Sequence, residues 1–321
     1  MRTSICGIVF ITSLLLTPII ATSQIAKDTT FLNLGGAVRF NAFYKNWQGE
    51  EDNQNKYGAL DFDTWRINAD GQFKGILFST EYRFYAGYSF FKHGWIGYDF
   101  SPQSKLRLGL NQVPFGLLPY ASNNWFAMIP YYVGLEDDYD MGLKYIYTPN
   151  NWDFRFAFYK NAEASFSGSS ANSSRYSYDI VGENEEVNQG NARIAYNLGK
   201  TEIGVSGQLG QLYNNVSDEM GDQYAVAVHA EGNFGAFNIK AEALQYHYDA
   251  AKTAGAEEFV LMGAYDFPYQ VAKKGRMYVG GISYKVPVKW GPVSSLTFYN
   301  DFTYFDKANE NYRNSQMNVT G

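Results

Sequence analysis

The sequence predicts an all-β protein, a transmembrane antiparallel up-and-down β-barrel with about 13–14 strands present. Three observations predict it. Past residue 30 the apolar residues recur with a period of two. The alternating segments mostly run to about 9–11 residues, the length of a tilted membrane crossing rather than of the usual soluble strand of about 5–6. The connections between them alternate between short turns and long loops, as short inner turns and longer outer loops do in a membrane barrel.

The elements follow in chain order. Met1 and Arg2 precede an apolar run from Ile5 to Ile20, and Ala21-Thr22-Ser23 supplies small residues for cleavage. Residues 1–23 therefore read as a secretory signal peptide, with 24–321 as one barrel domain. Cys6, the single cysteine, falls inside that peptide, so neither disulfide nor thiolate chemistry is expected beyond it. In 31–45, Leu32, Leu34, Val38, Phe40 and Tyr44 oppose Asn33, Arg39, Asn41 and Lys45. In 75–86, Ile76, Phe78, Tyr82 and Phe84 oppose Ser79, Glu81 and Arg83. Leu106, Leu108 and Leu110 oppose Lys105, Arg107 and Asn111; Trp152, Phe154, Phe156 and Phe158 oppose Asp153, Arg155 and Tyr159. Ile194, Tyr196 and Leu198 oppose Asn191, Arg193 and Asn197, and Tyr224, Val226 and Val228 oppose Gln223, His229 and Glu231. Further spans are expected at 60–69, 94–100, 139–148, 202–213, 236–247, 275–287 and 294–305.

Counting Phe259-Val260-Leu261-Met262 as a span would reverse the short/long order of every later connection. The stretch 248–274 is therefore read as one long outer loop with local structure of its own. Thirteen spans plus Met317–Gly321 make an odd set, while bacterial barrels have even strand numbers. The expectation is a chain lacking its closing strands.

Composition agrees. The chain has 27 Tyr, 24 Phe and 6 Trp among 321 residues, and only 18% charged residues, against about 25% in an ordinary domain. Aromatics at strand ends, such as Tyr44, Phe84, Trp152 and Tyr304, suit two interfacial girdles. The net charge of −6 argues against a nucleic-acid partner. Alternation alone also fits a secreted β-sandwich; the span lengths and loop order favour the barrel.

The segment Leu106-Arg107-Leu108-Gly109-Leu110-Asn111-Gln112-Val113-Pro114-Phe115-Gly116 resembles the Pro-Phe-Gly stretch of the phosphate-selective porin O/P family, and Asp63 to Gly71 resembles that family's second strand and turn. The resemblance covers residues 30–321 by pattern. It implies a 16-stranded barrel, trimeric, in a Gram-negative outer membrane among lipid and lipopolysaccharide, passing small hydrophilic solutes or anions such as phosphate. It also implies a ladder of cations in the pore. An Arg or Lys facing lipid at the midplane costs about 2–4 kcal/mol, so strand charges should face the lumen. Inward parity then assigns Arg39, Arg83, Lys105, Arg107, Lys144, Arg155 and Arg193. Acids share that face, namely Glu81, Asp153, Glu202, Glu231 and Glu242, so each cation has a second reading as one half of an ion pair. The loop 114–138 would form a constriction, with Pro114, Phe115 and Gly116 at its root and Glu136, Asp137 and Asp138 at its return.

No catalytic residue, metal or cofactor is expected. His93, His229 and His247 lack metal-ligand spacing. The acidic runs Glu50-Glu51-Asp52 and Glu183 to Glu186 lack the order of a calcium loop. Two other classes stay open: an outer-membrane hydrolase using His247 and Asp249, and a plugged structural or adhesive barrel.

Overall fold

The computed structural model describes residues 30–163, 175–250, 258–265 and 267–321. The expected signal peptide, with Cys6, and the Ser-rich 165–174 lie outside the described residues. The strands are β1 (Phe31–Phe43), β2 (Ala59–Phe73), β3 (Ile76–Tyr85), β4 (Tyr88–Ser101), β5 (Ser104–Gln112), β6 (Tyr139–Tyr147), β7 (Trp152–Ala162), β8 (Asp179–Ile180), β9 (Asn184–Leu198), β10 (Thr201–Asn214), β11 (Met220–Phe234), β12 (Phe237–Asp249), β13 (Phe259–Ala264), β14 (Phe267–Ala272), β15 (Lys274–Trp290), β16 (Val293–Asp306) and β17 (Ser315–Thr320). Among the described residues one short helix, α1 (Glu51–Asn55), sits between β1 and β2, and a 3₁₀ turn spans Ile129–Val133.

Fourteen strands form one antiparallel sheet in the order β1-β2-β3-β4-β5-β6-β7-β9-β10-β11-β12-β15-β16-β17. All thirteen expected spans are in it, and the fourteenth is β17, which contains Met317. Several strands outrun their alternating stretch. β9 begins at Asn184 because Glu186 and Gln189 turn inward and find partners there, which an acidic run does not advertise. Residues 259–272 are not a span. β13 and β14 form a hairpin that pairs with β8 in a separate three-stranded sheet, a lid built from two outer loops.

The inner turns are short throughout. Lys74 (φ 49°) and Gly75 (φ 82°) both take left-handed backbone in the two-residue turn after β2, the type whose twist matches that of the strands it joins. The outer connections are less regular than the loop order suggests. β3 meets β4 through Ala86-Gly87 alone, whereas β5 meets β6 through residues 113–138.

The two faces differ as the pattern requires. Leu34, Phe40, Leu108, Phe158, Val205, Val228 and Phe298 stand exposed on the outside, each more than half accessible. Arg193, Asp301 and Thr303, at 1%, 0% and 0%, are buried inside. This inversion of the soluble rule is expected only where hydrocarbon, not water, is the outer solvent. One loop bridges the curl of the sheet. Residues 113–138 reach β1, through Trp125 stacked on Arg39, and also β16, through Asn123 bonded to Asp301. Strands near opposite ends of the sheet order therefore face a common lumen.

Candidate functional site: the inward loop and the lumen beside it

The loop begins where Pro114, which has no amide hydrogen to donate, ends the β5 ladder. Its neck is closed by the Val113 amide donating to the Asp138 carbonyl at 2.9 Å. Gly116 takes left-handed backbone, φ 57°, and is bonded through both its polar groups. Its amide donates to Ser206 Oγ on β10 at 3.0 Å, and its carbonyl accepts from Arg193 Nε on β9 at 2.8 Å. The Leu117 amide donates to Glu242 Oε2 on β12 at 2.8 Å. Further along, Asn123 donates to both oxygens of Asp301, from its amide at 2.7 Å and from Nδ2 at 2.6 Å. Tyr248 of β12 donates to the Val133 carbonyl at 2.6 Å.

Apolar packing seats the same loop. Leu117, Ala121 and Met128 pack with Val279 of β15. Phe115, Ile129, Val133 and Leu135 join Leu212, Leu244, Tyr246 and Met277 of the wall, and Val260, Met262 and Val271 of the lid, in one buried cluster. At the level of the loop, the half of the lumen beside β9–β16 is thus filled with protein; a cavity of about 530 Å³ lies at the inner-turn end of β11–β16, lined by residues including Asn238, Ser283 and Lys285.

At the level of the loop, open space lies on the other side, against β1–β4. A cavity of about 490 Å³ is lined by Arg39, Asp63, Trp125 and tyrosines including Tyr85, Tyr131 and Tyr265. A second of about 440 Å³ is lined by Arg39, Arg66, Arg83, Lys92, Tyr120 and Trp125. The two share Arg39 and Trp125, so these two side chains border both cavities. Four consecutive strands each supply one cation here: Arg39, Arg66, Arg83 and Lys92. Three acids accompany them. Asp63 pairs with Arg39 across β1 and β2. Glu81 lies 2.6 Å from Arg83 and 4.0 Å from Arg66, and Asp137 of the loop lies 4.0 Å from Lys92. Tyr176 packs beneath the Arg83 guanidinium at 4.6 Å from its ring centre and the Lys92 ammonium at 5.2 Å. The lining carries a small surplus of positive charge, heavily paired.

The other expected cations sit elsewhere. Arg107 pairs with Asp99 at 2.6 Å and stacks on Trp95 near the inner turns; Lys105, part-exposed, stands two residues before it on the same strand face. Arg155 is forked onto Asp153 with a shortest contact of 2.8 Å, and buried Lys144 donates to the Gln112 carbonyl at 2.5 Å. Arg193 is fully buried among the Gly116 carbonyl, Glu202, Asp153 and His229, so it holds the loop to the wall. Pro114, Phe115 and Gly116 are buried at the loop's root. Glu136 accepts from the Ala121 and Ser122 amides, tying the loop's two limbs together. Burial raises its carboxyl pKa well above the ordinary value, and raises those of Asp137 and Asp138 too. His247 lies edge-on to Tyr224 while Asp249 is 3.9 Å from Lys273, so each of that pair has its own partner.

Parity reasoning did not single out Arg66, Lys92 or Trp125. Arg66 was legible, since Trp65 and Ile67 flank it as outward neighbours. Lys92 was not: a bulge opposite Glu81/Tyr82 re-aims the strand at that residue.

No family model matches the chain, and no curated protein matches it. Solved structures do match in fold. OmpF of Salmonella typhi, in complex with daunomycin, aligns over 88% of this chain and 80% of its own, with a TM-score of 0.53 at 11% identity. The outer membrane channel DcaP of Acinetobacter baumannii aligns over 92% and 97%, with a TM-score of 0.49 at 11% identity. An anion-selective porin from Comamonas acidovorans aligns over 86% and 89%, with a TM-score of 0.39 at 13% identity. The first of these carries the fold assignment: the chain has the porin type of β-barrel.

Proposed function

We propose that the protein is an outer-membrane channel for passive diffusion of small hydrophilic solutes. The observation that carries this reading is the pair of adjoining cavities that pass Arg39 and Trp125 inside a barrel whose outer surface is apolar. Arg39 and Arg83, with Arg66 and Lys92, bias the passage towards anions such as phosphate; Asp63, Glu81 and Asp137 keep the bias modest. Of the other cations, Lys144 and Arg193 serve the loop and wall. The same reading takes the chain as exported by a cleaved signal peptide and assembled as a trimer in the outer membrane. Reconstitution in a planar bilayer under a salt gradient tests it. Steady single-channel conductance with a weakly anion-selective reversal potential is expected. A cation-selective potential would remove the anion bias, and absence of conductance from the folded barrel would remove the channel. That last outcome would favour the plugged barrel, whose support is the buried cluster joining loop, wall and lid.

A further inference from the structure

Beneath the lid the structure gathers buried carboxylates from separate segments. Asp138 ends the inward loop, Asp140 opens β6 and Asp179 lies on β8. One carboxylate oxygen from each of these three lies within 4.8 Å of the other two. Oxygens that share a calcium ion at about 2.3–2.6 Å are separated by no more than about twice that length. All three residues are at least nine-tenths buried.

A second observation concerns which oxygens are left without partners. Glu163, at the end of β7 and outside the trio, is 4% exposed and interacts electrostatically with Asp138, Asp140 and Asp179. Its Oε1 accepts from the Ser177 amide at 2.6 Å, and its Oε2 has no partner. The trio repeats this arrangement. Gln189 Nε2 holds Asp140 Oδ2 at 3.1 Å and leaves Oδ1 without a partner. Arg175 Nη1 lies 3.3 Å from Asp179 Oδ2, and Oδ1 is without a partner. Asp138 Oδ1 is likewise unpartnered. Donors that grip one oxygen and free the other are what orient metal ligands. A buried polar atom without a partner is otherwise costly, and several adjacent carboxylates more so.

We propose that Asp138, Asp140, Asp179 and Glu163 bind a divalent, oxygen-seeking cation, calcium by preference. Donors that are all carboxylate oxygen, with no nitrogen or sulfur, suit calcium or magnesium rather than zinc or copper. Calcium tolerates irregular donor placement, whereas magnesium demands a near-ideal octahedron, so a site assembled from a loop, two wall strands and the lid suits calcium better. The ion would join the return of the inward loop to β7 and to the lid, at the outer mouth. It would neutralise charge that burial otherwise leaves uncompensated.

The test uses the full chain, refolded in detergent without lipopolysaccharide and stripped with EDTA. Terbium, excited through the surrounding tyrosines, should give saturable emission that calcium displaces. Asp140→Asn should weaken terbium and calcium binding at least tenfold, and Glu163→Gln supplies the same test if that variant does not fold. Thermal melting gives an outcome of opposite sign for the two cases. With calcium the wild type should melt above the variant; in EDTA the order should reverse, because the substitution removes a buried charge. No terbium signal, together with a variant that melts higher under both conditions, would overturn the proposal and leave protonation as the means by which the cluster is neutralised.

Discussion

Asp301→Ala removes the tether between the tip of the inward loop and β16. Asp301 is completely buried and accepts two bonds from Asn123, at 2.7 and 2.6 Å. A hydrogen bond to a charged partner contributes about 1.5–3 kcal/mol. Taking the lower figure for each, the loss is about 3 kcal/mol, and at 1.4 kcal/mol per tenfold it raises the population of detached loop by about a hundredfold. The β16 ladder keeps its backbone pairing with β15 and β17, so the barrel should stay folded. Single-channel recording is the assay. The variant should show excursions to a larger conductance that the wild type shows about a hundred times less often. A control makes the reasoning sharper: replacing Asn123 and Asp301 together by cysteine should suppress those excursions when oxidised and restore them when reduced. A folded Asp301→Ala channel with the wild type's trace would refute the idea that this contact holds the constriction.

Other outcomes follow from the same geometry. Arg39→Gln with Arg66→Gln removes two of four lining cations and leaves Asp63 and Glu81, so the reversal potential in a salt gradient should move towards cations; no movement would place the ion path elsewhere. Trp125→Ala removes the ring that borders both cavities and a cation–π contact of about 0.5–1 kcal/mol, so conductance should rise and larger uncharged solutes should pass in liposome swelling. Gly116→Ala pairs backbone strain of about 1–2 kcal/mol with a clash against the Glu242 carboxylate, whereas Gly235→Ala has similar backbone strain in open space. Only the first should add gating noise.

The barrel was legible because lipid outside and water inside impose a period of two on every strand. The side chains of 152–160 obey it so strictly that Phe156 and Phe158 stand exposed while Tyr159 is fully buried. The inward fold of 114–138 was expected from the motif at its root. Its anchors were not, since Ser206, Glu242 and Asp301 become partners only through tertiary placement. Parity also treats all inward cations alike. It does not distinguish Arg83, which lines open space, from Arg193, which is sealed behind the loop. Asp138, Asp140 and Asp179 meet by a route no spacing rule reads, because β8 belongs to the lid rather than to the wall.

The inward loop also stitches distant parts of the chain together in a graded series. Its attachments lie progressively further along the chain: Gly116 to Ser206 spans 90 residues, Leu117 to Glu242 spans 125, and Asn123 to Asp301 spans 178. Loop-closure entropy grows only by about 0.6 kcal/mol per doubling of length, so distance alone does not forbid the last contact. The tip contact closes the longest of the three spans, so Asn123 ties the loop to a strand near the far end of the sheet order. Cutting that tie alone leaves the two nearer closures in place, so the loop would swing from its root rather than part from the wall.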